Sequence, residues 1–232
     1  MVNAADLSLP GVEINIGKGK GDKQELATAL KIAIGLTVLA LAPALLISMT
    51  AFTRIVIVLS MIRHGLGMQE TPPNSVIVSL ALFLTLFTMM PVLTEIDTRA
   101  YQPFLTDQLG MEQALQEGVK PLREFMVRQT REQDLALMVD ISKSAAPKSI
   151  DDISLSQLIP AFMLSELKSA FQIGFVVFLP FLLIDIIIAT ILMSMGMVMV
   201  PPVMIALPIK ILMFVLIDGW NLVARSLISS FN

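Results

Sequence analysis

The chain is 232 residues long, 55% hydrophobic and only 15% charged, with a mean hydropathy of +0.79 and a formal net charge of −3. Soluble domains carry about 25% charged residues, so this composition argues for an integral membrane protein, and the scattered basic residues exclude a nucleic-acid footprint. With no cysteine and His64 as the only histidine, disulfides, thiolate or histidine metal sites and Ser-His hydrolysis are excluded, and no cofactor is implied.

In chain order, residues 1–25 read as a flexible polar N-terminus, Gly-rich around "GKGKGDK" and without the basic-then-apolar layout of a secretion signal. Residues 26–96 hold the N-terminal hydrophobic helices. The first apolar run, Leu26 to Met61, exceeds one span and is interrupted at Pro43, which predicts a bent helix or a helical hairpin. The loop "RHGLGMQETPPNS" leads to a second span, Val76 to Ile96, with Pro91 near its end. Residues 97–160 form a charged amphipathic helical insertion, too small for an independent enzyme domain. In it Leu122, Phe125, Met126, Gln129, Gln133 and Leu137 share a stripe, and Glu124/Arg128 and Arg128/Glu132 fall at i,i+4 spacing. Residues 161–232 contain the C-terminal hydrophobic helices: a third apolar region, Phe162 to Val200 with Pro180 inside it, and a fourth, Val203 to Leu222 with Pro208. The fold class is all-α: an integral membrane protein of long, kinked helices and helical hairpins.

Topology is divided between two signals. Lysines near the N-terminus favour an inside start, while Arg63 and His64 favour an inside first loop. An outside N-terminus places the charged insertion outside as well.

Arg54, Asp185, Lys210 and Asp218 lie within apolar segments, where an unpaired charge costs several kcal/mol. Such residues line an ion pathway, pair during assembly, or snorkel to the interface. The absence of a chain of acids and histidines favours assembly. Glu166 and Lys168, two apart in "SELKSAF", face differently on a helix, so they either find partners on neighbouring subunits or are simply solvated. Prolines interrupt most apolar segments, and broken helices at membrane depth need protein or a water-filled cavity around them. That requirement points to an oligomer with a central path.

The stretch "MSMGMVMVPP", Met193 to Pro202, repeats methionine at every second position and then breaks on two prolines. Methionines fill gaps in apolar cores. Here, however, they cluster, with Gly196 loosening the backbone and Pro201-Pro202 ending the helix. In an extended segment the thioethers would share one side. Repeated around an axis, Met195, Met197, Val198 and Met199 would form a deformable hydrophobic gasket.

The stretches "TRIVIVLSMIRHGLG", "ALFLTLF", "AYQPF", "PLREFMVRQTRE", "SELKSAFQIGF", "LPFLLIDIIIATILMSMGMVMVPP" and "IALPIKILMFVLIDGW" resemble the FliP family of flagellar type III export-gate proteins and its injectisome homologues. The resemblance covers about Ile47 to Leu222. It implies an export gate of the bacterial inner membrane and flagellar basal body, projecting towards the periplasm. In such gates a pentameric ring combines with FliQ-like and FliR-like subunits, works with FlhA-like and FlhB-like components, and conducts unfolded flagellar substrates without being an enzyme. Many family members begin with a cleaved signal peptide, so this chain fits a mature form with an outside N-terminus. The family's loop usually reads MGMMMVPP and aligns with Met195 to Pro202; Val198, β-branched and stiffer, replaces the middle methionine of its triplet.

Two other classes compete. A secondary transporter would show inverted repeats and use Asp185 or Lys210 at a solute site. A membrane enzyme would need Asp185 to act without a second acid, base or metal.

Overall fold

A computed structural model describes residues 23–68, 70–143, 149, 152–197 and 199–231. The expected polar N-terminus therefore lies almost wholly outside the described residues, as does Val198. Among the described residues the protein is all-α. The chain divides into two units, residues 1–43 and 44–232.

In the first unit the described residues belong to helix α1, Lys23–Ser48. Its leucines and isoleucines from Leu30 to Leu41 are exposed. The helix does not stop at Pro43, where the sequence suggested an interruption. The break comes at Met49 to Ala51. There the hydroxyls of Ser48, Thr50 and Thr53 donate to the carbonyls of Leu45 and Ile47, offering the backbone an alternative to another helical turn.

The second unit is built around α2, Phe52–Gly65. Ile55, Val58, Leu59 and Ile62 are fully buried at three- and four-residue spacing, so one stripe of α2 forms the centre of the core. Helix α3, Asn74–Ile96, continues through a π-helical turn at Asp97–Tyr101 into α4, Gln102–Leu105. Pro103 sits near the start of α4, where a missing N–H is tolerated.

The amphipathic insertion folds as two helices, α5 (Met111–Gln129) and α6 (Glu132–Ile141). Between them Thr130 and Arg131 adopt extended backbone angles, so Arg128 and Glu132 do not share a helix. Phe125 and Met126 of the expected stripe are buried, and the Phe125 ring meets Phe162 edge-on at 5.8 Å.

Helix α7, Leu155–Ser194, is 40 residues long, or roughly 60 Å. That is about twice the hydrocarbon thickness of a bilayer. It starts ahead of the expected third apolar region, at Ser154, whose N–H and hydroxyl both donate to Gln157 Oε1 at 3.0 Å and whose carbonyl accepts the Gln157 N–H. Pro160 and Pro180 are contained within it. Helix α8, Pro202–Leu216, and α9, Gly219–Ser229, complete the chain at a mutual bend of 65°.

Among the described residues three helical stretches are long and apolar enough to cross a membrane: Ala27–Leu45, Asn74–Leu105 and Leu155–Ser194. The α8–α9 pair gives a fourth if taken as one bent span. Large apolar side chains remain exposed on α3, α7 and α8, among them Phe83, Phe87, Phe171, Phe175, Leu212 and Leu216. An exposed apolar surface on this scale belongs against lipid or another protein.

Candidate functional site

The methionine stretch is a helix end and a tight turn rather than an extended ribbon. Met193 lies in the last turn of α7 and Met195 is its C-cap. Gly196 follows with φ +75°, the left-handed conformation that glycine adopts without steric penalty. The Met197 N–H donates to the Leu192 carbonyl at 2.9 Å and the Gly196 N–H to the Met193 carbonyl at 3.0 Å. This pair of bonds is the Schellman arrangement, which satisfies carbonyls that a helix end would otherwise leave open. Pro201 is the N-cap of α8 and Pro202 its first residue, where proline's fixed φ and missing donor suit a helix start.

The turn is thus fixed by main-chain bonds, one glycine and two prolines. Its side chains are free of that task, and Met193, Met195, Met197 and Met199 are all exposed. Beneath it, Ile188, Leu192 and Ala206 pack with Ile184 and Val200 to hold α7 and α8 together. Replacing Gly196 with alanine puts a Cβ in the left-handed region and is expected to cost about 1–2 kcal/mol. Faster proteolysis or hydrogen exchange confined to the α7–α8 turn would report it, and unchanged local protection would contradict it.

Arg54, Asp185 and Lys210, three of the four apolar-segment charges, fall into two buried networks. Arg54 on α2 makes a two-pronged pair with Glu166 on α7: Nε donates to Oε2 at 2.9 Å, and Nη2 donates to Oε1. Such fork-to-carboxylate geometry is the strong form of the ion pair. Arg54 Nη2 also donates to Gln129 Oε1 at 3.0 Å, and Nη1 donates to the Ser230 carbonyl at 2.8 Å. The guanidinium lies 3.8 Å from the Phe231 ring centroid, and Gln129 Nε2 donates to the Phe231 carbonyl at 2.9 Å. One arginine thereby ties together α2, the end of α5, α7 and the C-terminal residues. Glu166 finds its partner within its own chain, in contrast to the neighbouring-subunit partner considered from sequence. Lys168 is exposed on the same helix.

Lys210 on α8 forms the second network. Its Nζ donates to Asp185 Oδ2 on α7 at 2.6 Å and to the Gly65 carbonyl at 3.0 Å. The latter contact puts a cation on the C-terminal carbonyl of α2, where the helix dipole favours it. Lys210 is buried and Asp185 partly so. Asp185 Oδ1 is buried without a hydrogen-bond partner among the described residues. Asp218 stands apart from both networks. It is exposed, left-handed at φ 51°, and forms the corner between α8 and α9. Gly219 beside it is required by packing, because a Cβ there would meet the Phe214 ring at 2.3 Å.

A third polar junction was not singled out by sequence. Ser165, fully buried on α7, accepts from the Arg131 N–H at 2.9 Å and donates to Asp134 Oδ2 at 2.6 Å. These bonds dock the start of α6 onto α7 and hold the chain extended at Arg131. Among the described residues no group of His, Cys, Asp or Glu side chains could hold a metal ion.

The FliP family model matches residues 35–227. The chain is 50% identical to the flagellar biosynthetic protein FliP of Bacillus subtilis over 210 residues, covering 90% of this chain and 95% of that protein. It is also 50% identical to the FliP protein of Pectobacterium carotovorum over 208 residues, covering 90% of this chain and 81% of its relative. The FliP protein of Caulobacter vibrioides matches at 44% over 228 residues, covering 98% of this chain and 85% of that one. The family match spans Arg54, Glu166, Asp185, Lys210 and the methionine turn, and the chain belongs to the FliP family, whose members are components of flagellar protein export.

Proposed function

We propose that the chain is the pore-forming core subunit of a flagellar type III export gate, and that Met195, Met197, Val198 and Met199 form its gasket. The observation that carries this reading is the Schellman turn, which projects exposed methionines from a main-chain frame anchored by Gly196 and Pro201-Pro202. Thioether side chains are apolar, unbranched and adaptable. Copies of the turn around an axis would exclude water and ions at rest and deform around a passing unfolded chain. A frame held by its own backbone bonds keeps its place while its side chains move.

About five copies surround the axis, as the resemblance implies, and the exposed apolar surfaces of α3, α7 and α8 lie against neighbours, lipid, or FliQ-like and FliR-like subunits. FlhA-like and FlhB-like components serve the same gate. The gate lies in the bacterial inner membrane at the flagellar basal body. The N-terminus and the insertion at residues 97–160 face the periplasm. Arg54, Glu166, Asp185 and Lys210 support assembly by fixing the protomer's shape.

The test is ion conductance through the assembled complex in bilayers. Replacing Met197 and Met199 with alanine is expected to raise resting leak several-fold while the complex mass, read by native mass spectrometry, stays that of the parent. Unchanged conductance in intact particles would remove the gasket. A monomer that recruits no FliQ-like or FliR-like subunit would remove the pore.

A further inference from the structure

We propose that Met193, Met195 and Met199 are an oxidant-sensitive modification site, at which peroxide forms methionine sulfoxide and opens the resting gate to ions. The leak consequence rests on the gasket reading above; the modification itself does not.

The chain contains no cysteine, so no thiol competes for oxidant. Oxidation of the remaining sulfurs then follows exposure. In the single protomer Met199 is 95% exposed, Met193 71% and Met195 67%, against 0% for Met126 in the core; Met204 and Met111 are exposed to a similar degree outside the turn, which is set apart by carrying three such sulfurs together. The chemistry balances with the peroxide alone. The thioether sulfur attacks one peroxide oxygen and the O–O bond breaks. That oxygen stays on sulfur as the sulfoxide, and the other leaves as water after taking the remaining proton. Sulfur loses two electrons and peroxide gains them.

The consequence depends on how the turn is held. A core methionine turned into a polar sulfoxide would disrupt the fold. Here the frame is the Leu192 and Met193 carbonyls, the left-handed Gly196 and the two prolines, none of which involves a thioether. Oxidation therefore changes the polarity of the surface and leaves its shape. A sulfoxide oxygen accepts hydrogen bonds and draws water to the surface that is meant to exclude it. Methionine sulfoxide reductases, one for each epimer, reverse the change.

The experiment treats the assembled gate in proteoliposomes with hydrogen peroxide, maps oxygen uptake by peptide mass spectrometry, and reads ion leak before and after incubation with both reductases. The expected result is oxidation of the turn peptide well ahead of Met126, a several-fold rise in leak, and its return after reduction. A variant with leucine at Met193, Met195, Met197 and Met199 is expected to show no peroxide response relative to its own baseline. Turn methionines oxidised no faster than Met126 would overturn the site. A peroxide response persisting in the leucine variant, which keeps exposed Met111 and Met204, would assign the leak elsewhere and overturn the proposal. If alanine at Met197 and Met199 causes leak but oxidation does not, the oxidation proposal fails and the gasket stands. If neither causes leak, the gasket and the leak consequence fall together, and the mass map alone decides the modification.

Discussion

Arg54→Ala is expected to lower protomer stability by about 3–5 kcal/mol, the range for removing one partner of a buried ion pair. The loss is large because Glu166 is fully buried and would be left without its counter-ion and two of its hydrogen bonds. The Ser230 carbonyl, Gln129 and the Phe231 ring lose their shared partner in the same step. Unfolding of the detergent-solubilised protomer, followed by circular dichroism, measures the effect; a midpoint equal to the parent's would refute it. The double variant R54M/E166L is expected to recover most of the stability, since apolar replacement of an entire buried pair is often neutral. Charge reversal at Glu166 separates two roles. If the protomer unfolds, the lost ring is a consequence of the lost fold. A folded protomer that fails to form rings would instead place Glu166 at a subunit contact.

Lys210→Met should destabilise the α7–α8 hairpin by about 2.5–3.5 kcal/mol, the scale of an unpaired charge in an apolar helix. Asp185 already has one buried oxygen without a partner among the described residues, and removing Lys210 leaves the carboxylate without its ammonium as well. The Gly65 carbonyl loses its cation as well. The double variant D185N/K210M should regain part of the loss, and the difference is the coupling energy of the pair. Additive single effects would mean that the two side chains do not act together. The pairing also bears on the transporter alternative: the ammonium and carboxylate that a solute would need are engaged with each other.

The sequence by itself determined what is local. Composition and run length made the chain an all-α membrane protein, because the cost of unpaired backbone groups in hydrocarbon leaves helices as the economical solution for long apolar segments. Gly196 and Pro201-Pro202 marked a break between helices, since left-handed φ and a missing N–H are properties of single residues; the prolines, however, start α8 rather than end α7, which stops at Ser194. The charges in apolar segments stood out for the same reason.

Only the tertiary structure decided which of these meet. Arg54 and Glu166 are 112 positions apart and Lys210 and Gly65 are 145 apart, and nothing in either neighbourhood names the other. Glu166 was set beside Lys168 by proximity in sequence, whereas packing of α2 on α7 supplied Arg54. Pro43, Pro91, Pro180 and Pro208 look like breaks, yet the helices run through them. The insertion divides at Thr130 and Arg131, where no glycine or proline stands, because Ser165 on a distant helix captures the Arg131 N–H. Local propensities are worth about a kilocalorie per residue. Burial and the pairing of buried charges are worth several, so where the two disagree the packed helices prevail.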